Sequence, residues 1–243
     1  MNQSKYIFFV IILVFLSVIW NLQNHSYIQT FDHQQGDLGT FSELLYYMNN
    51  SATGYSSIQN YALVYLLPFL FFMQQFIGKD TIVVVTRTNK REGIFLREAI
   101  AIQFIAMLFA ICHSAINVVW TVVYFPVELI IESRLMSSVA WNTICLYLFY
   151  SGVGLIYASM KNLLRSSGLG LLGTLVLVGG GFFVSKMILT TYWTPLIDLN
   201  LLSNLLDGNA NSVEIFWTYL KQVIILFVFY LIGSALYTRK DFL

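Results

Sequence analysis

The side chains best equipped for chemistry are few and scattered. His25 and His33 share one polar stretch with Asp32 and Asp37, a set that could hold a metal ion weakly and that reads equally as a solvated loop. His113 adjoins Cys112 inside an apolar run. An ionisable ring at that depth is a candidate for function, or a neutral imidazole bonded to a neighbouring helix. Gly78-Lys79 is followed by Asp80 and lacks the upstream glycine of G-x-x-x-x-G-K-[ST], so the chain carries no phosphate-cradling loop and no ATP hydrolysis by that route. Neither H-E-x-x-H nor G-x-S-x-G occurs. Cys112 and Cys145 both lie in apolar runs and read as small buried hydrophobes. The sequence therefore predicts no catalytic residue, no metal, and no cofactor held by this chain.

Those residues sit in an unusual background. Of 243 residues 58% are hydrophobic and 10% charged, whereas soluble domains carry about 25% charged residues. A surface so poor in charge must face something other than water. Six apolar runs are nearly free of charge, the last two holding only Lys186 and Lys221 near their ends: residues 6–20, 61–78, 99–125, 138–160, 168–189 and 216–237. A crossing helix needs about 20 such residues and satisfies its own backbone, so the expectation is an all-α polytopic membrane protein, one transmembrane domain over residues 1–243. The first run is followed by Asn21, Leu22, Gln23 and Asn24 rather than a small-x-small cleavage site, and so reads as a retained, short first span. Strand-like alternation is absent.

Direction follows from the basic residues. Lys5, Lys79, Arg87, Lys90, Arg91, Arg97, Lys161, Arg165, Arg239 and Lys240 fall on one side of the six-span scheme, ten of the thirteen Lys and Arg. Arg134, Lys186 and Lys221 fall on the other, the lysines near span ends where their stems can snorkel. The positive-inside rule then places both termini in the cytoplasm. Intramembrane carboxylates are nearly absent, which argues against ion-coupled transport. Any transport would need a partner that supplies the work.

Two connecting segments carry more than charge. Residues 79–98 are basic yet contain the apolar groups Ile82, Val83, Val84, Val85 and Ile94, Phe95, Leu96, as expected of a segment that lies along the membrane or docks into another protein. Residues 190–215 hold Tyr192, Trp193, Pro195 and many leucines interrupted by Asp198, Asn200, Asn204 and Asp207; they predict one or two short interfacial or re-entrant helices between spans five and six. The fifth run is rich in glycine, from Gly168 to Gly181, which suits either close helix packing or a flexible point.

This pattern resembles the permease subunits of type-2 ABC exporters, and in compactness the small bacterial exporters of antimicrobial or amphipathic peptides. The likeness covers nearly the whole chain and is architectural: six spans with cytoplasmic termini, a basic segment between spans two and three (Arg87-Thr88-Asn89-Lys90-Arg91), a short helical pair before the last span, and the charged tail Arg239-Lys240-Asp241. The family's amphipathic helix before span one has only residues 1–5 to occupy here, so it is expected to be missing or absorbed into that span.

The resemblance implies a P-loop ATPase partner that binds ATP and Mg, a second permease copy or relative, and a peptide or lipid-like substrate, with no role for nucleic acid. It implies ATPase coupling through Arg87, Thr88, Asn89, Lys90, Arg91, Phe95 and Arg97. Aromatic pathway walls would include His113, Trp120, Tyr147 and Tyr150. The expected location is the plasma membrane. The competing reading is a membrane-embedded immunity or sensor protein that recognises a peptide through residues 21–60 without moving it.

Overall fold

The computed structural model describes residues 3–34, 38–77 and 91–238, and among these every regular element is helical. The first helix, α1 (Gln3–Gln34), is about twice the length of the run that predicts it. Its polar extension stays helical because the backbone ladder does not depend on side-chain polarity, and because Trp20 and Asn24 are fully buried against the rest of the protein. A second helix, α2 (Leu38–Asn50), follows it.

Residues 61–78 do not form one long helix. A π-helical turn (Asn60–Val64) passes into the eleven-residue α3 (Leu66–Phe76). Pro68 supplies the physical reason: it has no N–H to donate to the Val64 carbonyl four residues back, and the wider turn sits where the regular ladder is interrupted. Five described helices, rather than six, are long and apolar enough to cross a bilayer, the hallmark of a multi-pass membrane protein.

The other four long helices follow the predicted runs, three of them longer than their runs and the one over 168–189 one residue shorter. They are α4 (Arg91–Tyr124), α6 (Leu135–Leu164), α7 (Ser167–Met187) and α9 (Ser212–Thr238). Between them stand α5 (Val127–Glu132) and, after a 3₁₀ turn at Ile197–Asn200, α8 (Leu201–Leu206), which realises the short helical pair expected in residues 190–215. Local sequence sets several ends. Asn211 and Glu214 exchange side-chain bonds with each other's backbone N–H at 2.9 and 3.2 Å, a capping box that starts α9. The Ser166 hydroxyl accepts from the Leu169 N–H at the start of α7.

The hub is α6. Of its most apolar stretch 72% is buried, against 6% for α9, so α6 is the axis and α9 faces outward. Helices α4, α7 and α9 all pack on it. Small residues make this possible: Gly154 abuts Ile102 of α4, and a Cβ at Gly170 of α7 would stand 2.8 Å from the Lys161 backbone of α6. Gly168, Gly180 and Gly181 have open space instead, so close packing accounts for only part of the glycine-rich run. Helices α7 and α9 share α6 but scarcely touch each other, which leaves an apolar cleft of about 280 Å³ between Val178, Gly181, Leu226 and Phe229.

Candidate functional site

Three polar constellations are built into the bundle, one at the end where α4 begins and two further along it at similar levels, since Thr143 of α6 bonds Ser114 and Cys145 bonds the Asp198 carbonyl. Arg87, Thr88, Asn89 and Lys90 lie outside the described residues, and Arg91 opens α4. Arg97 is exposed on α4. Phe95 is not: it is fully buried, its ring packed against Tyr230 and Tyr237 of α9 at centroid distances of 5.7 and 5.8 Å. A Cβ at Gly233 would come within 2.5 Å of it. Phe95 thus ties α4 to α9 and is not itself a surface for a partner. One turn further, the Lys161 ammonium of α6 donates to the Glu98 carboxylate at 2.8 Å, joining α4 to α6 as well.

At mid-depth His113 is 1% exposed and enclosed by tyrosines. Its ring stacks on Tyr55 at 4.4 Å and meets the edges of Tyr61 and Tyr65 at 5.3 and 4.9 Å. The Tyr55 hydroxyl donates to the His113 carbonyl, and neither ring nitrogen has a hydrogen-bond partner among the described residues. Tyr150 joins the group through its hydroxyl, which donates to the Tyr61 carbonyl. Trp120 belongs elsewhere, stacked between Trp20 and Tyr124, and Tyr147 is half-buried against the core. His113 and Tyr150 therefore come together, while Trp120 stands in a separate aromatic stack. Both His113 and Tyr150 are enclosed by protein rather than facing an open route in this structure.

Beside this group lies a network that the sequence reading missed. The Asn117 side chain accepts from the Trp20 indole at 2.9 Å and donates to Asn49 Oδ1 at 2.9 Å. It joins α1, α2 and α4 inside the protein. The available signal was an amide in an otherwise apolar helix, a group too costly to leave unpaired and so bound to find partners across helices. Asn117→Ala leaves the Trp20 N–H and Asn49 Oδ1 buried without partners. It is expected to lower stability by about 2 kcal/mol, read as thermal unfolding of the protein in detergent; Asn117→Asp, which keeps the acceptor for Trp20, should lose less.

The third constellation centres on Asp198, whose carbonyl accepts from Cys145 of α6. Its Oδ1 accepts from Lys221 Nζ at 2.8 Å and from the Trp193 indole at 3.0 Å, and its Oδ2 accepts from Gln222 Nε2 at 3.1 Å. Lys221, expected to snorkel outward, turns instead to this carboxylate and lies 4.9 Å over the Trp193 ring. The arrangement pins the 190–215 segment to α9.

No family model, curated protein or solved structure matches the chain. Among the described residues no group of three or more His, Cys, Asp or Glu could hold a metal. The Glu98–Lys161 pair couples α4 to α6 and the Phe95 wedge couples α4 to α9, while the Asp198–Lys221 pair holds the 190–215 segment to α9.

Proposed function

We propose that this chain is the transmembrane subunit of an ATP-driven ABC exporter, energised by a separate P-loop ATPase and forming with a second permease a route for an amphipathic peptide or lipid-like substrate. In this reading the π turn and α3 cross as the second of six spans, seventeen residues (60–76) that ask the bilayer to thin locally, and both termini face the cytoplasm of a bacterial cell. The single observation that carries the reading is the fixing of α4 immediately after the basic segment. Phe95 is wedged on Gly233 of α9 and Glu98 is paired with Lys161 of α6, so a push on residues 79–98 would move three long helices together. Exposed Arg97, with Arg87, Lys90 and Arg91, supplies the cations such a segment needs against an acidic ATPase groove.

The second reading, peptide recognition without transport, draws its support from residues 21–60. The described residues of this stretch include the end of α1 and the whole of α2, and α2 packs on α5 and α8.

Affinity recovery of the tagged chain from its native membrane in mild detergent is expected to bring a P-loop ATPase with it. Reversing Arg87, Lys90 and Arg91 to Glu should cut that recovery by about tenfold or more, since three interfacial charges change sign together. A chain that comes through alone, or cysteines at positions 87 and 90 that label from outside intact cells, would end the exporter reading.

A further inference from the structure

The end of α7 borders a cavity of about 320 Å³, set between residues 50–59 and the segment that leads into the 3₁₀ turn. Its floor is apolar, with Ile58, Phe182 and Leu196; its rim is polar, with Asn50, Gln59 and Lys186. No Asp or Glu lines it. Lys186 is exposed, stands 5.7 Å over the Phe182 ring, and has no ion pair among the described residues. Asp198, the acidic residue on the same segment, is already taken by Lys221, Trp193 and Gln222. The Ser51 hydroxyl at the cavity is buried without a hydrogen-bond partner. A cation in the last turn of a helix is ordinary. A cation without a counter-ion, at the rim of a cavity whose other polar groups are neutral amides and hydroxyls, is a site prepared for an anion.

Depth decides which anion. The 21 residues of α7 span about 31 Å, close to the hydrocarbon thickness, and Lys186 is the residue before its last. The Tyr192 and Trp193 rings beyond it are exposed, as aromatic side chains are at the level of lipid headgroups. We propose that this cavity binds the phosphate of an anionic phospholipid headgroup. The Lys186 ammonium faces the phosphate, the amides and hydroxyls of the rim donate to its oxygens, and the apolar floor receives the glycerol-ester region. The assignment rests on the multi-pass membrane character of the chain and is independent of whether the chain exports anything.

The test uses the full-length protein in nanodiscs of phosphatidylcholine and phosphatidylglycerol in equal amounts, with retained lipids counted by native mass spectrometry. The wild type is expected to keep phosphatidylglycerol in preference to phosphatidylcholine. Lys186→Gln should weaken that preference about fivefold, the size of one Lys attraction to an anionic lipid, and Lys186→Arg should preserve it. Arg134→Gln, which removes an exposed cation from the turn before α6, should leave it unchanged. Absence of preference in the wild type, equal losses in Lys186→Gln and Arg134→Gln, or displacement of the lipid by inorganic phosphate alone would each overturn the proposal.

Discussion

Replacing Asp198 with Ala is expected to destabilise the protein by about 3 kcal/mol, the lower end of the cost of breaking a buried ion pair, because Lys221 keeps some hydration. The carboxylate is 3% exposed and holds three donors, whereas the Lys221 side chain remains 34% exposed. Without Asp198, the ammonium lies over the Trp193 ring with no anion beside it, and the Trp193 indole and one Gln222 N–H lose their acceptor. For a chain of this size the loss corresponds to a fall of about 6–12 °C in the unfolding midpoint, measurable in detergent by following intrinsic tryptophan fluorescence. A second variant distinguishes the pair from the packing: Asp198→Ala with Lys221→Met removes both charges, and should recover part of the midpoint because the stranded cation is gone. A midpoint that stays at the wild-type value in Asp198→Ala would show that the 190–215 segment is not held by this carboxylate.

The second large effect is expected at Gly233. A leucine there places its Cβ 2.5 Å from the Phe95 ring and 2.8 Å from the Ser159 hydroxyl, where real Cβ atoms do not go. Phe95 cannot swing aside cheaply, because Tyr230 and Tyr237 of the same helix flank its ring. Gly233→Leu should cost at least about 3 kcal/mol, the upper end for an overpacked core, by prising α9 from α4 and α6. Phe95→Ala alone should cost about 3–5 kcal/mol through the cavity it leaves. Combined, the two fill and empty the same space, so the double variant is expected to be more stable than the sum of the singles by at least about 1 kcal/mol. Additive losses would mean that the two positions do not share one contact. In the exporter reading, Gly233→Leu should also lower transport while the ATPase stays bound, since it loosens the lever without touching the docking segment.

Much of the architecture was legible because charge is scarce. Long stretches with at most one Lys or Arg stand out, so the runs around 99–125, 138–160, 168–189 and 216–237 return as α4, α6, α7 and α9 with ends shifted by one to eight residues. The largest of these shifts, the start of α4 at Arg91, comes from charges that pair: Glu98 ends the apolar run but is neutralised by Lys161, so the helix runs straight through it. Residues 61–78 were read by composition alone, and composition does not register that Pro68 interrupts the ladder. The site was less legible. Phe95 was picked out by its place in a basic segment, yet its surroundings come from Gly233, nearly 140 positions away, and no local pattern announces that partner. The Asn117 network draws on α1, α2 and α4, and the Asp198 network joins the 190–215 segment to α9, so only the tertiary structure brings them together.

The mid-depth constellation also bears on how such a chain is made. Trp20, Asn49, Ser56, Tyr55, Tyr61 and Tyr65, which surround Asn117 and His113, all precede them in the chain. When α4 leaves the ribosome, the Trp20, Asn49 and Ser56 groups that bond the Asn117 amide have already been synthesised, so this amide need not wait in lipid for later helices. Glu98 and Asp198 have no such advantage: the first depends on α6 and the second on α9, the last long helix to emerge. Translation thus supplies Trp20 and Asn49 before the amide they bond and leaves the two ion pairs to fasten on what arrives afterwards.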